Sequence, residues 1–178
     1  HLLSRRQRQM CIRDRIWGVE VFMQKTYLCI DLKSFYASVE CVELGLDPFK
    51  VNLVVADPTR GGGAITLAAT PAIKKLGVSS RGRIFEIDPK IEYMVAPPRM
   101  HLYMEYSCKV YKVFLEFIAK EDIHVYSIDE SFLDITSYLK LYQVNAKELA
   151  KKILDRIYEK TGLTAVSYTH LRAHETLM

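Results

Sequence analysis

Three carboxylates carry the chemistry that this sequence offers. Asp129 and Glu130 stand side by side in VYSIDESFLDI, residues 125–135, between two runs of strand-forming residues, Ile123 to Ile128 and Phe132 to Ile135. Side chains alternate across a strand, so adjacent carboxylates converge on one site only where the chain bends, and the pair is expected at a hairpin tip. Two carboxylates this close resist joint ionisation unless a cation lies between them, and hard oxygen donors suit magnesium. Alone, an Asp-Glu pair is more often a solvated turn. Asp31 changes that balance. It lies near the end of TYLCIDL, residues 26–32, a short apolar run that reads as a buried strand bringing its one charge to a sheet edge. Three carboxylates at one edge fit a magnesium cage for two-metal phosphoryl transfer.

The elements around these acids decide whether they meet. Ser34 is placed to cap a helix that runs to about Leu44 and stops at Gly45, with Pro48 beyond. Val51 to Ala56 and Ala64 to Ala69 read as strands around a loop, DPTRGGG, and Thr70 with Pro71 opens a short helix that ends at Gly77. Ile84 to Ile87 and Ile91 to Ala96 read as further strands, closed by Pro97 and Pro98. A long helix over Met100 to Ala119 follows, with Tyr103, Tyr106, Val110, Val113, Phe114 and Phe117 on one core-facing stripe. After the hairpin comes a helix from Ala146 to Lys160, stopped by Gly162, and Leu163 to Val166 begins a last strand. Without residues 37–98, the order strand, helix, strand, strand, helix, strand predicts an α+β fold: a ferredoxin-like βαββαβ unit, its last strand truncated, with a small α/β insertion after the first strand. In such a sheet the end of the first strand neighbours the hairpin tip, so Asp31 is expected beside Asp129 and Glu130.

At 178 residues the chain is long enough for one domain with a proper core. Its net charge of +4 is not a nucleic-acid signature, because residues 23–166 hold nineteen basic and eighteen acidic residues and the surplus lies in the first twenty-two. Four cysteines, at positions 11, 29, 41 and 108, show neither a Cys-x-x-Cys pair nor a histidine at ligand spacing, so reduced thiols are expected. No apolar run approaches a membrane span and no secretory signal opens the chain, which points to the cytoplasm. Gly61 to Gly63 lack a following Lys-Ser or Lys-Thr and do not make a P-loop.

DLKSFYASVE, residues 31–40, together with YSIDESFLDI, residues 126–135, resembles the two signature motifs of the Y-family DNA polymerases, the UmuC and DinB type that copy past damaged bases. Between them, VVADP, ITLAATPAIKKLGV and the segment from RIFEI to APPRM resemble the fingers of the UmuC-like branch of Gram-positive bacteria. The resemblance implies a DNA-directed DNA polymerase of DNA repair and SOS-type damage tolerance. It implies two magnesium ions held by Asp31, Asp129 and Glu130, with the backbone carbonyl of Leu32 completing one shell. Tyr36 matches the steric gate, a ring under the incoming sugar that leaves room for hydrogen at C2′ and none for hydroxyl. Phe35 and Lys74 join Tyr36 in the implied nucleotide-binding set, Phe35 reading also as a core aromatic at the helix start. Backbone N–H groups of residues 34–36 are placed to face the triphosphate. This chain departs from many relatives in having Pro71 and Lys74 where they carry a tyrosine and an arginine. A lysine meets phosphate as a point charge rather than a fork.

The resemblance also implies a division into palm (23–36), fingers (37–98) and a second palm segment (99–166). The helical thumb and the DNA-gripping little finger of the family are not expected within these residues, so these residues alone are expected to be nearly inactive. Primer-template DNA and deoxynucleoside triphosphates are the implied partners of an intact relative, with a sliding clamp reached through its C-terminal region and no membrane partner. RRQRQMCIRDR in residues 1–22 and SYTHLRAHET in residues 167–178 resemble translated sequencing-adapter read-through, and both ends are expected to be non-native. Two rival readings differ in class: another palm-type nucleotidyl transferase such as a cyclase, and a non-catalytic palm-fold interaction domain.

Overall fold

The computed structural model describes residues 25–172. The expectation for residues 1–22, and that for 173–178, lies outside them. Strand β1 (Lys25–Leu32) alternates in facing: Leu28, Ile30 and Leu32 point into the core, and Tyr27, the also buried Cys29 and Asp31 point to the opposite face. Helix α1 (Phe35–Glu43) follows at once and buries Phe35, Ala37, Ser38, Val39, Glu40 and Cys41. The larger sheet unit resumes with helix α3 (Met100–Phe114), strands β5 (Ile123–Val125) and β6 (Glu130–Asp134), helix α5 (Ala146–Thr161) and strand β7 (Ala165–Arg172). The sheet order is β5-β6-β1-β7, with β1 antiparallel to both neighbours. This is the ferredoxin-like arrangement expected from the order of elements. Tyr103, Tyr106, Val110, Val113 and Phe114 of α3 and Leu149, Ile153 and Ile157 of α5 form one core with Leu28, Ile30, Leu32, Leu133 and Ile135.

The insertion has its own three-stranded sheet, in the order β3-β2-β4: β2 (Leu53–Val55), β3 (Ala68–Ala69) and β4 (Met94–Ala96). β2 is apolar throughout because both its faces are covered. Leu53 and Val55 join the main core, while Val54 packs with Ala69, Ile73 and Ile87 in a second small core. The short helix α2 (Pro71–Lys74) supplies Ile73.

Several elements differ from expectation for local reasons. Ile84 to Ile87 is a single 3₁₀ turn (Ile84–Glu86) held by the Glu86 carboxylate on the Arg83 N–H at 3.1 Å. DPTRGGG is also a 3₁₀ segment (Pro58–Gly63), started by Asp57 accepting from the Thr59 N–H at 3.0 Å and tied down by Arg83 Nη1 donating to the Gly63 carbonyl at 3.0 Å. The long helix ends at Phe114 rather than Ala119. A seven-residue helix, α4 (Thr136–Tyr142), follows the hairpin where none was expected; the Asp134 carboxylate accepts from the Thr136 N–H at 3.1 Å and starts it. Thr70 does not cap α2. Its hydroxyl donates to the Val51 carbonyl at 2.7 Å and accepts from the Leu53 N–H at 3.1 Å, which fixes the entry to β2 instead. β7 continues past Val166 to Arg172 and pairs with β1 along its whole length, so residues 167–172 belong to the sheet.

Candidate active site

The site is built from the ends of β1 and β6. Asp31 is the register partner of Glu130, the first residue of β6, so both carboxylates leave the sheet on the face opposite the helices. The Leu32 N–H donates to the Asp129 carbonyl at 2.9 Å, which brings the turn residue Asp129 against the end of β1. Asp129 and Glu130 lie where the hairpin turns, as expected, but the turn is wider than a tip between two long strands. β5 stops at Val125, and residues 126–129 form the bend.

Ser127 organises that bend. Its hydroxyl donates to Asp129 Oδ1 at 2.7 Å and accepts from the Glu130 N–H at 3.0 Å. The Glu130 carbonyl in turn accepts from the N–H groups of Tyr126 and Ser127, each at 3.0 Å. Sequence reasoning assigned Ser127 no role; its position two residues before an aspartate at a turn is the signal that points to it. Cys29 was missed as well. On the same face as Asp31 and two residues away, its thiol donates to Glu130 Oε1 at 3.3 Å, and burial together with Glu130 pushes it up to about 11.

Among the described residues, no three His, Cys, Asp or Glu side chains are gathered at ligating distance. Asp129 is turned toward Ser127 and Glu130 toward Cys29, so side-chain rotation is needed to close the acids on an ion. The donor chemistry nonetheless fits a hard divalent cation: the three side chains offer oxygen only. Burial holds the Asp31 carboxyl above its ordinary range, and the charges of Asp129 and Glu130 push it further, against the pull of Lys74. A cation at this edge would relieve that crowding. Leu32 has its side chain in the core, leaving only its backbone for the site.

The α1 helix start faces the same site. Ser34 occupies the N-cap position in the left-handed region (φ 50°, ψ 43°) and makes no side-chain cap. Its hydroxyl accepts from Lys74 Nζ at 2.9 Å, while Ser38 takes over the local hydrogen bonding by donating to the Lys33 carbonyl at 2.7 Å. Burial lowers the Lys74 ammonium, Asp31 raises it and Lys33 lowers it, so the charge sits within reach of the acidic edge. Tyr36 is half-buried, and its hydroxyl is pushed up by burial and by Asp129. Phe35, at 3 % exposure, is in the main core and supports Tyr36 from the side, with centroids 5.6 Å apart. The structure thus brings Asp31, Asp129, Glu130, Lys74 and Tyr36 to one edge and sets Phe35 behind it.

A family profile described as impB/mucB/samB matches residues 30–170. The putative UV-damage repair protein UvrX of Bacillus subtilis (strain 168) is 40% identical over 145 residues, covering 80% of this chain and 33% of that protein. The DNA repair protein homolog YozK of the same strain is 41% identical over 111 residues, covering 61% of this chain and 95% of that protein. A solved Y-family DNA polymerase chimera of Dbh and Dpo4 superposes with a TM-score of 0.68 at 26% identity, covering 81% of this chain and 42% of the chimera. The chain therefore spans about a third of UvrX and under half of the polymerase structure.

Proposed function

The chain belongs to the impB/mucB/samB family, and from that premise we propose that residues 23–166 are the palm and fingers of a Y-family lesion-bypass DNA polymerase, which adds deoxynucleotides to a primer opposite damaged template bases. The observation that carries this reading is the placement of Asp31 in register with Glu130 and against Asp129, with Lys74 and Tyr36 facing the same edge. In this reading Asp31, Asp129, Glu130 and the Leu32 carbonyl hold two magnesium ions. Magnesium, when bound, supplies charge neutralisation among the acids and polarises phosphate oxygens.

The chain's own residues do the rest. Ser127 holds the backbone of the turn, so that Asp129 and Glu130 need only side-chain rotation to close on an ion. Lys74 meets the triphosphate as a point charge delivered from the fingers. Tyr36 closes the space under the sugar at C2′ and selects deoxynucleotides by exclusion. Most DNA affinity comes from phosphate contacts, and the chain spans about a third of UvrX. Primer extension is accordingly proposed as an activity of a longer protein, with these residues alone nearly inactive.

Calorimetric titration of the chain with a deoxynucleoside triphosphate tests the site. Binding that requires magnesium and is lost in Asp129→Ala is expected. Nucleotide binding indifferent to both magnesium and Asp129→Ala would refute the proposal.

A further inference from the structure

Tyr36 is backed by a second ring, and that ring is held by an ion pair whose carboxylate is buried. The Tyr103 ring lies 4.5 Å from Tyr36, centroid to centroid, with 16° between their planes. Phe35 closes on Tyr103 edge-on at 6.4 Å and 61°. Tyr103 has no solvent exposure, and its hydroxyl donates to Glu40 Oε1 at 2.6 Å. Glu40 lies on α1, one turn beyond Tyr36, and is itself buried. Its carboxylate receives the Arg99 fork: Nε at 3.1 Å to each oxygen and Nη2 at 2.5 Å to Oε2. Arg99 stands at the entry to α3 and accepts the Tyr103 N–H on its carbonyl at 3.1 Å.

A hydrophobic residue in place of Tyr103 would fill the same volume without these bonds. Burying a carboxylate is costly unless it is fully partnered, and here each partner also fixes a direction. Glu40 sets the tilt of Tyr103, and the stacked geometry of two aromatic rings passes that plane to Tyr36.

We propose that Tyr103 is a specificity-determining positioning residue, whose ring, clamped through its hydroxyl by Glu40 and Arg99, sets the plane in which Tyr36 meets the sugar of a bound nucleoside triphosphate. The inference rests on the reading of Tyr36 as the sugar gate. Selection by exclusion depends on where the wall stands, so a wall free to rock admits the hydroxyl it should reject.

The test compares binding of dCTP and CTP to the chain with magnesium, for the unmodified protein and for Tyr36→Ala, Tyr103→Leu and Tyr103→Phe. The Tyr36 ring resonances are followed in parallel in carbon-13-labelled protein. The unmodified chain prefers dCTP, and Tyr36→Ala abolishes the preference. Tyr103→Leu reduces it by between about twofold and about tenfold, the range of an aromatic pair, and shifts the Tyr36 ring signals as the stacked neighbour is lost. Tyr103→Phe keeps the ring but frees it from Glu40, and reduces the preference by about twofold; it decides the matter should the leucine variant fail to fold. If Tyr36→Ala removes the preference while both Tyr103 variants keep it intact, the inference alone is overturned. If the unmodified chain shows no preference, or Tyr36→Ala leaves it unchanged, the gate reading and the inference fall together.

Discussion

Lys74 Nζ donates to Ser34 Oγ across 2.9 Å, joining helix α2 of the insertion to the left-handed residue at the start of helix α1. Ser34 is not capping its helix, and Lys74, though exposed, is held by this contact. The contact parks a positive charge within the field of Asp31.

Lys74→Ala should therefore weaken triphosphate binding selectively. A charge-assisted contact is worth roughly 1.5–3 kcal/mol, so affinity for a deoxynucleoside triphosphate is expected to fall about tenfold or more, while that for the parent deoxynucleoside stays as it was. Titrations with both ligands check this. An equal loss for the two would place Lys74 outside the phosphate site.

Ser127→Ala removes the hydroxyl that serves Asp129 and the Glu130 N–H together. The loss of stability should be modest, about 1 kcal/mol by urea unfolding. Magnesium-dependent nucleotide binding should fall further than that stability change accounts for, because the turn that presents both acids is loosened. Binding unaffected by Ser127→Ala would mean the bend holds its shape by backbone contacts alone.

The contrast between Asp31 and Ser127 shows what the sequence disclosed. Strand alternation and the βαββαβ order were enough to bring Asp31 beside Asp129 and Glu130, because register follows from which face is buried. The Gly162 stop of α5 was legible for the same kind of reason, since a stop is a local signal, whereas the Asn145 cap, whose side chain accepts from the Glu148 N–H at 2.9 Å, went unread. Contacts between distant segments were not legible. The stripe that placed Tyr103 in the core is the same for any large apolar residue; only the fold shows that its ring meets Tyr36 and its hydroxyl meets Glu40. Ile84 to Ile87 read as a strand because three apolar residues in a run of four fit either form, and the contact of the Glu86 carboxylate with the Arg83 N–H decided for a turn. The length of β7 was hidden for another reason. Pairing with β1 is made by backbone groups, which are largely indifferent to the side chains of residues 167–172.

Gly162→Ala tests the junction of α5 with the sheet. Gly162 ends the helix at φ +71°, and its N–H donates to the Tyr158 carbonyl at 2.8 Å. An alanine there adopts a left-handed conformation at a cost of about 1–2 kcal/mol. Its Cβ would also stand 3.2 Å from Val42 Cγ2 on α1, tighter than ordinary contact. The urea midpoint should drop with an unchanged slope. A midpoint equal to that of the unmodified chain would mean that α1 and the helix end shift freely enough to absorb the new methyl.

Acid should reveal Asp134. Burial raises its carboxyl, but the side-chain and backbone hydrogen bonds from Thr136, with Lys25 at 3.3 Å, outweigh that and leave it below its ordinary 3.8. A depressed folded value means that the ionised form is the one the fold favours. The stabilisation is thus fully present above 3.8 and is lost as the pH falls through the lower folded value. Lys25 is well exposed, so the ion pair itself contributes little and the hydrogen bonds to the start of α4 carry about 1 kcal/mol. Asp134→Asn keeps the shape and one acceptor but cannot ionise. Urea unfolding of the two proteins should differ at pH 6, and the gap should close as the pH is lowered past 3.8 toward 2.5. A gap that stays constant over that range would show that shape at the α4 start matters and charge does not.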